Sequence, residues 1–171
     1  PEIAARRHVK LVFEGLDTFA EVFLNGQLLL ETNNMFRSWE VNCKSHLKEK
    51  NNLLEIRFSS AYQQFKADSI AHGSILPGGK WMFARKAAYH FGWDWGPAFI
   101  TAGIWKNVQL KGWDDLFPID AFVATEKISK EVAKLKLHLS LDTEKQKNVN
   151  IELKDVSTDT IVFQQLMELE P

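Results

Sequence analysis

The densest concentration of groups able to do chemistry is the run Arg85-Lys86-Ala87-Ala88-Tyr89-His90-Phe91-Gly92-Trp93-Asp94-Trp95-Gly96-Pro97. At its centre Trp93, Asp94 and Trp95 form an aromatic–carboxylate–aromatic triplet between two glycines. A sugar ring presents a patch of C–H groups on one face and hydroxyls around its rim. An indole covers the apolar patch, and a carboxylate accepts two hydroxyl hydrogen bonds, which its charge strengthens. Gly92 and Gly96 let the backbone turn sharply enough to present these side chains together. The same spacing also suits an ordinary loop, with Trp93 and Trp95 in a core and Asp94 capping a turn. Spacing alone leans to that second reading and leaves both open. A second group, Asn33-Asn34-Met35-Phe36-Arg37-Ser38-Trp39, reads either as a binding-loop tip or as a polar hairpin connection leading to a core Trp.

Other chemistries find little support. Cleavage of a glycosidic bond usually requires two carboxyl groups flanking it. Glu14, Asp17, Glu21, Glu31 and Asp94 are available, but most sit on alternating strands where a solvated face explains them, and no acid/base couple is assigned. The five histidines (His8, His46, His72, His90, His138) are scattered, without zinc-ligand spacing, and no phosphate-binding glycine loop is present. No metal or cofactor is expected. Cys43 is the only cysteine, which excludes an internal disulfide, and it reads as a strand-end or core thiol. A net charge of -1 gives no basic footprint for nucleic acid. No apolar run approaches the roughly 18 residues of a membrane span. Residues 1–10 lack the basic-then-apolar pattern of a signal peptide.

The elements that must position these residues are strands. With 45% hydrophobic and 12% aromatic residues, the 171-residue chain can build a packed core. Val9, Leu11 and Phe13 alternate with Lys10, Val12 and Glu14, and Gly15-Leu16-Asp17 breaks the run. Residues 19–24 form a second strand. Asn25-Gly26 follows as a hairpin signal, because both central positions of a type I′ turn need positive φ. Residues 27–30 return. Short strands follow around Trp39 and Val41 and around Leu54, Ile56 and Phe58. The excursion over 59–101, with a short helix over 61–69 and a turn at Pro77-Gly78-Gly79, interrupts the pattern. A long excursion in a β domain is often functional. Strand pattern resumes at Ile104 and runs through Val108 and Leu110 to Trp113. Residues 114–118 read as a linker. Beyond them Leu135, Leu137, Leu139 and Leu141, then Val149, Ile151 and Leu153, then residues 161–169, alternate as three or four strands of a second sandwich.

Glu14-Gly15-Leu16-Asp17-Thr18-Phe19-Ala20-Glu21-Val22-Phe23-Leu24-Asn25-Gly26 resembles the strand–hairpin signature of the N-terminal sandwich in family-2 glycoside hydrolases. Asn34-Met35-Phe36-Arg37 and residues 85–97 are similar to its β-mannosidase branch, and Gly103-Ile104-Trp105 resembles the end of the same domain. The resemblance implies an all-β fold. Residues 1–113 would be a jelly-roll, galactose-binding-like β-sandwich truncated at its N-terminus. Residues 114–171 would be part of an immunoglobulin-like β-sandwich truncated at its C-terminus. It implies a parent enzyme that removes terminal β-linked mannose with retention, its two catalytic glutamates lying on a (β/α)8 barrel outside this chain. Trp93 and Asp94 would line the mannose subsite, with Trp95, Gly96 and Arg85 supporting their loop.

On this reading the expected partners are a β-mannoside oligosaccharide, met through the whole enzyme, and the barrel of the same chain. Unpaired strand edges and uncovered apolar faces would also invite pairing between copies. No nucleic-acid or membrane partner is expected. Two rival readings stay open: a free-standing carbohydrate-binding module without a catalytic parent, and a purely structural sandwich with the tryptophans inside.

Overall fold

The period-two runs become strands, and the computed structural model describes them over residues 2–73, 76–92 and 95–170, with Lys80 described by its backbone alone. Strands β1 (His8–Phe13), β2 (Leu16–Asp17), β3 (Phe19–Leu24), β4 (Gln27–Asn33), β5 (Trp39–Asn42) and β6 (Leu54–Phe58) come first. Helix α2 (Ala61–His72) follows, α1 being a single turn at Glu2–Ala5. Then come β7 (Gly103–Ile104) and β8 (Val108–Trp113).

Two three-stranded sheets carry the structure, β5-β1-β8 and β4-β3-β6. Their inward residues share one core. Val9, Leu11 and Phe13 from β1 meet Ala20, Val22 and Leu24 from β3, together with Leu16 and Cys43. Two sheets that bury one common apolar layer make a β-sandwich. Phe13, Leu16, Val9 and Val22 are fully excluded from solvent, and each such side chain contributes about 1.5–3 kcal/mol. Burial also pushes the Cys43 thiol above its ordinary pKa, with backbone hydrogen bonds pulling the other way. That environment suits a core thiol and not a nucleophile.

The Asn25-Gly26 turn takes positive φ at both residues, 54° and 87°. Asn25 does more than turn the chain. Its Nδ2 donates to the His46 carbonyl at 2.7 Å and to Asn52 Oδ1 at 2.9 Å, while its Oδ1 accepts from Leu53 N at 3.0 Å. The side chain therefore fastens the hairpin to the segment that leads into β6.

Three expectations are corrected. Leu16 and Asp17 do not merely break β1. They form β2, which pairs with β7 in the register Leu16↔Ile104 and Asp17↔Gly103. The helix extends to His72, because Ser60 caps its start and Gly73, at φ 74°, caps its end. The linker contracts to Asp114 and Asp115, since Leu116 already opens the strand β9 (Leu116–Ile128).

By internal packing the chain forms two units, residues 1–112 and 113–171. In the second, β9 pairs with β10 (Ala133–Thr143), and β11 (Lys147–Asp155) pairs with β12 (Thr160–Leu169), each pair antiparallel. Leu135, Leu137, Leu139, Ile151, Phe163 and Met167 line an open apolar trough of about 930 Å³.

Candidate functional site

The segment bearing the triplet is a loop built on the edge of the first unit. It starts beside Asn34 and Met35, which belong to the other motif group, 33–39. Met35 N donates to the Arg85 carbonyl at 3.0 Å, and Asn34 and Arg85 form a parallel bridge. Ala87 N donates to Met35 Sδ at 3.1 Å. Two indoles seal the same backbone: Trp39 Nε1 donates to the Asn34 carbonyl and Trp105 Nε1 to the Met35 carbonyl, each at 3.1 Å. The two motifs are thus one structure, brought together across the sandwich.

Beneath the loop lies a buried ion pair. Lys86 Nζ sits 2.6 Å from Asp17 Oδ1 and 2.5 Å from Oδ2, and it donates to the Thr101 carbonyl at 2.7 Å. Thr18 Oγ1 donates to Asp17 Oδ1 at 2.5 Å, and the Asp17–Thr18 peptide is cis. The Lys86 side chain is wholly buried and that of Asp17 nearly so, at 0% and 6% exposure. Asp17 is therefore an exception to the solvated faces expected for most of these carboxylates, because its side chain is buried against Lys86. A buried charge needs a partner and hydrogen bonds to be tolerated, and both are present.

Aromatic packing holds the loop against α2. Phe65 meets Phe91 edge-on at 5.6 Å, and Trp81 stacks on Phe91 at 5.9 Å. Thr101 Oγ1 and His90 Nδ1 are 3.0 Å apart. Beyond these ties the loop opens to solvent. Tyr89, Trp95 and Phe99 are 73%, 85% and 68% exposed. An indole that open is not a core residue, so the interior reading fails for Trp95. Gly96 has open space where a side chain would project. Arg85 acts here through its backbone, and its residue surface is exposed. Trp93 and Asp94, the expected sugar contacts, lie outside the described residues.

The other carboxylates are placed as follows. Glu14 accepts from Gln109 Nε2 at 3.1 Å. Glu21 and Glu31 stand directly opposite on β3 and β4, with Arg57 opposite Glu21 on β6. The Arg57 guanidinium is held above its ordinary pKa, first by the Glu55 hydrogen bond and then by the charges of Glu55 and Glu21. Among the described residues no group of His, Cys, Asp or Glu could hold a metal ion, and no helix is long and apolar enough to cross a membrane.

Sequence reasoning missed Lys86 and the inward role of Asp17. The local signal was weak: Asp17 stands between Leu16 and Thr18-Phe19, and Lys86 follows another cation, Arg85, before Ala87-Ala88.

A galactose-binding-like sandwich with an aromatic loop on one edge belongs to a definite class. Residues 1–106 match the family described as glycosyl hydrolase 2 galactose-binding domain-like, and the chain belongs to that family. Several of its relatives are β-mannosidases. Beta-mannosidase B of Emericella nidulans is 42% identical over 121 residues, covering 65% of this chain and 14% of that protein. Beta-mannosidase B of Aspergillus clavatus is 34% identical over 163 residues, covering 82% of this chain and 19% of that protein. The crystal structure of β-D-mannosidase from Dictyoglomus thermophilum superposes with a TM-score of 0.87 at 34% identity, covering 98% of this chain and 21% of that one. The chain thus resembles the N-terminal domain of family-2 β-mannosidases, and it spans 14 to 21% of the length of these relatives.

Proposed function

We propose that this chain is the non-catalytic sugar-binding part of a retaining β-mannosidase-like glycoside hydrolase that removes terminal β-linked mannose. Its loop over residues 85–97 supplies Trp93 and Asp94 to the mannose subsite. Asp94 accepts hydrogen bonds from sugar hydroxyls, and Trp93 shapes the pocket wall. The acid/base and nucleophile reside on a (β/α)8 barrel outside this chain, against which the sandwich packs, so the chain alone is inactive on glycosides.

The observation that carries the reading is the 34% identity to a β-mannosidase of the same fold, at a TM-score of 0.87. The geometry supports it. The loop is built on a buried ion pair and displays aromatic side chains outward, as a surface that meets a carbohydrate must. The carboxylates described are otherwise engaged or carry no sign of an acid/base couple: Asp17 is held by Lys86 and Glu14 by Gln109.

The deciding experiment is hydrolysis of a chromogenic β-mannoside by the whole protein, comparing wild type with Asp94→Ala. A charged hydrogen bond that tightens in the transition state is worth about 2–4 kcal/mol, so kcat/KM should fall roughly 30- to 1000-fold with the fold intact. An unaffected variant would make the loop structural, and a wild type inactive on β-mannosides would redirect the reading to other branches of the family.

The isolated chain also has a partner of its own in this reading. The apolar stripes of the second unit, with Leu135, Leu137 and Leu139 at 47%, 44% and 40% exposure, pair with those of another copy. Light scattering that finds a clean monomer at high concentration removes that part of the proposal.

A further inference from the structure

We infer that Lys86 is the positioning residue of the mannose-contacting loop, acting by closing its two ends onto Asp17. The inference rests on the reading of Trp93 and Asp94 as sugar contacts.

A lysine ammonium has three N–H donors and no acceptor. Lys86 finds three acceptors, Asp17 Oδ2, Asp17 Oδ1 and the Thr101 carbonyl, at 2.5, 2.6 and 2.7 Å. Its capacity is saturated, in a place the solvent does not reach. Two of those bonds run to β2 and the third to the far end of the loop. The side chain leaves the backbone at 86 and meets the backbone again at 101, which closes segment 87–100 into a ring. The Thr101–His90 contact is a second tie across the same ring. On the exit side the chain joins β2 again through Asp17↔Gly103. Both ends of the loop are therefore referred to one carboxylate, and Trp93 and Asp94 fall in the middle of the span.

The choice of a charge here is informative. Replacing a buried ion pair by apolar groups is often neutral for stability, so stability alone does not call for Lys86 and Asp17. What an apolar pair cannot do is direct three bonds from one atom. It would fill the space and leave the Thr101 carbonyl without its donor. The pair fixes where the loop begins and ends, and a misplacement of about 1 Å in a group that meets the transition state can cost on the order of 100-fold in rate.

The test separates positioning from folding and from the sugar reading. In the whole protein, the charges are removed together as Asp17→Asn with Lys86→Met, in the wild-type and the Asp94→Ala backgrounds. Two quantities are read: amide hydrogen exchange over 87–100 against β1 and β3, and kcat/KM on a chromogenic β-mannoside. Exchange over 87–100 should rise about tenfold or more with β1 and β3 unchanged. In the wild-type background kcat/KM should fall roughly 10- to 100-fold, and in the Asp94→Ala background it should fall by clearly less, because only the placement of Trp93 is then left to lose. Unchanged exchange overturns the inference, as does an equal fall in both backgrounds, which would mark a general structural role. If Asp94→Ala is itself fully active, the sugar reading has failed, and the exchange pattern alone decides whether Lys86 sets the loop. Should the neutral pair not fold, Lys86→Arg carries the test. It keeps the charge but spreads its donors over a planar fork, so faster exchange confined to 87–100 is expected and a wild-type profile overturns the inference.

Discussion

The two units write the same alternation and bury it differently. In the first, Val9 and Phe13 on one strand and Val22 on another are wholly excluded from solvent. In the second, Leu137 and Leu139 alternate as cleanly, yet they remain 44% and 40% exposed, and Phe163 across the trough is 48% exposed. The difference is in what faces the strands. The first unit lays one three-stranded sheet on another, whereas the second has two two-stranded pairs lining an open trough. Period-two patterning chooses which face of a strand is apolar. Whether that face is dry depends on a second layer, which no local pattern specifies.

This contrast can be broken most directly in the cores. Phe13→Ala should cost about 3–5 kcal/mol, because it opens a cavity in a closed core. In the monomeric chain Leu137→Ala should cost about 1 kcal/mol or less, since the side chain is already half wet there. Urea unfolding followed separately for each unit by hydrogen exchange checks this, and equal costs would abolish the distinction. A smaller effect is expected at Gly15. A Cβ there would lie 2.4 Å from Trp105 Nε1 and 2.7 Å from Cε2. Gly15→Ala should displace the indole from the Met35 carbonyl and cost about 1–3 kcal/mol. A red-shifted tryptophan emission together with a lowered unfolding midpoint is the expected outcome, and wild-type values for both would refute the close approach. The smallest effect belongs to the second unit. The Asp115 carboxyl is held below its ordinary pKa, first by the Lys147 hydrogen bond and then by that of Lys145. A depressed carboxylate contributes stability above its unfolded pKa of about 3.9 and loses it as pH falls through the folded value. The stability difference between wild type and Asp115→Asn should be constant from neutral pH to about pH 5, then close on further acidification. It should shrink in salt. A difference that persists unchanged into strong acid would remove the ion pairs from the account.

Much of the first unit was legible in the sequence because its signals are local. Alternation marks β1 and β6, and Asn25-Gly26 dictates a turn that only residues tolerant of positive φ can make. The family resemblance, and with it the sandwich, was also legible in residues 14–26 and 85–97. What escaped is non-local. Leu16-Asp17 looked like an interruption because a two-residue strand has no period, and its partner lies at 103–104. The Asp17–Lys86 pair joins residues 69 positions apart. Nothing near either one announces the other. Residues 114–118 read as a linker, with clean alternation only beyond them, yet Leu116, Phe117 and Pro118 already belong to β9. Pro118 stands opposite Leu141, beside a register irregularity between Ser140 and Leu141, a place where a strand tolerates a residue without an amide donor.

The amide of Asn25 has one more consequence, for how the molecule ages. An asparagine followed by glycine is prone to lose ammonia, when the next backbone nitrogen attacks the side-chain carbonyl carbon and closes a five-membered imide. In the folded chain both ends of the Asn25 amide are held, Nδ2 by His46 and Asn52 and Oδ1 by Leu53. The group is therefore kept from turning toward Gly26. Each unfolding releases it. Hydrolysis of the imide then leaves an acid where an amide donor stood, and a carboxylate cannot donate to the His46 carbonyl. A copy altered at Asn25 therefore loses the donor that ties the hairpin to His46 and Asn52.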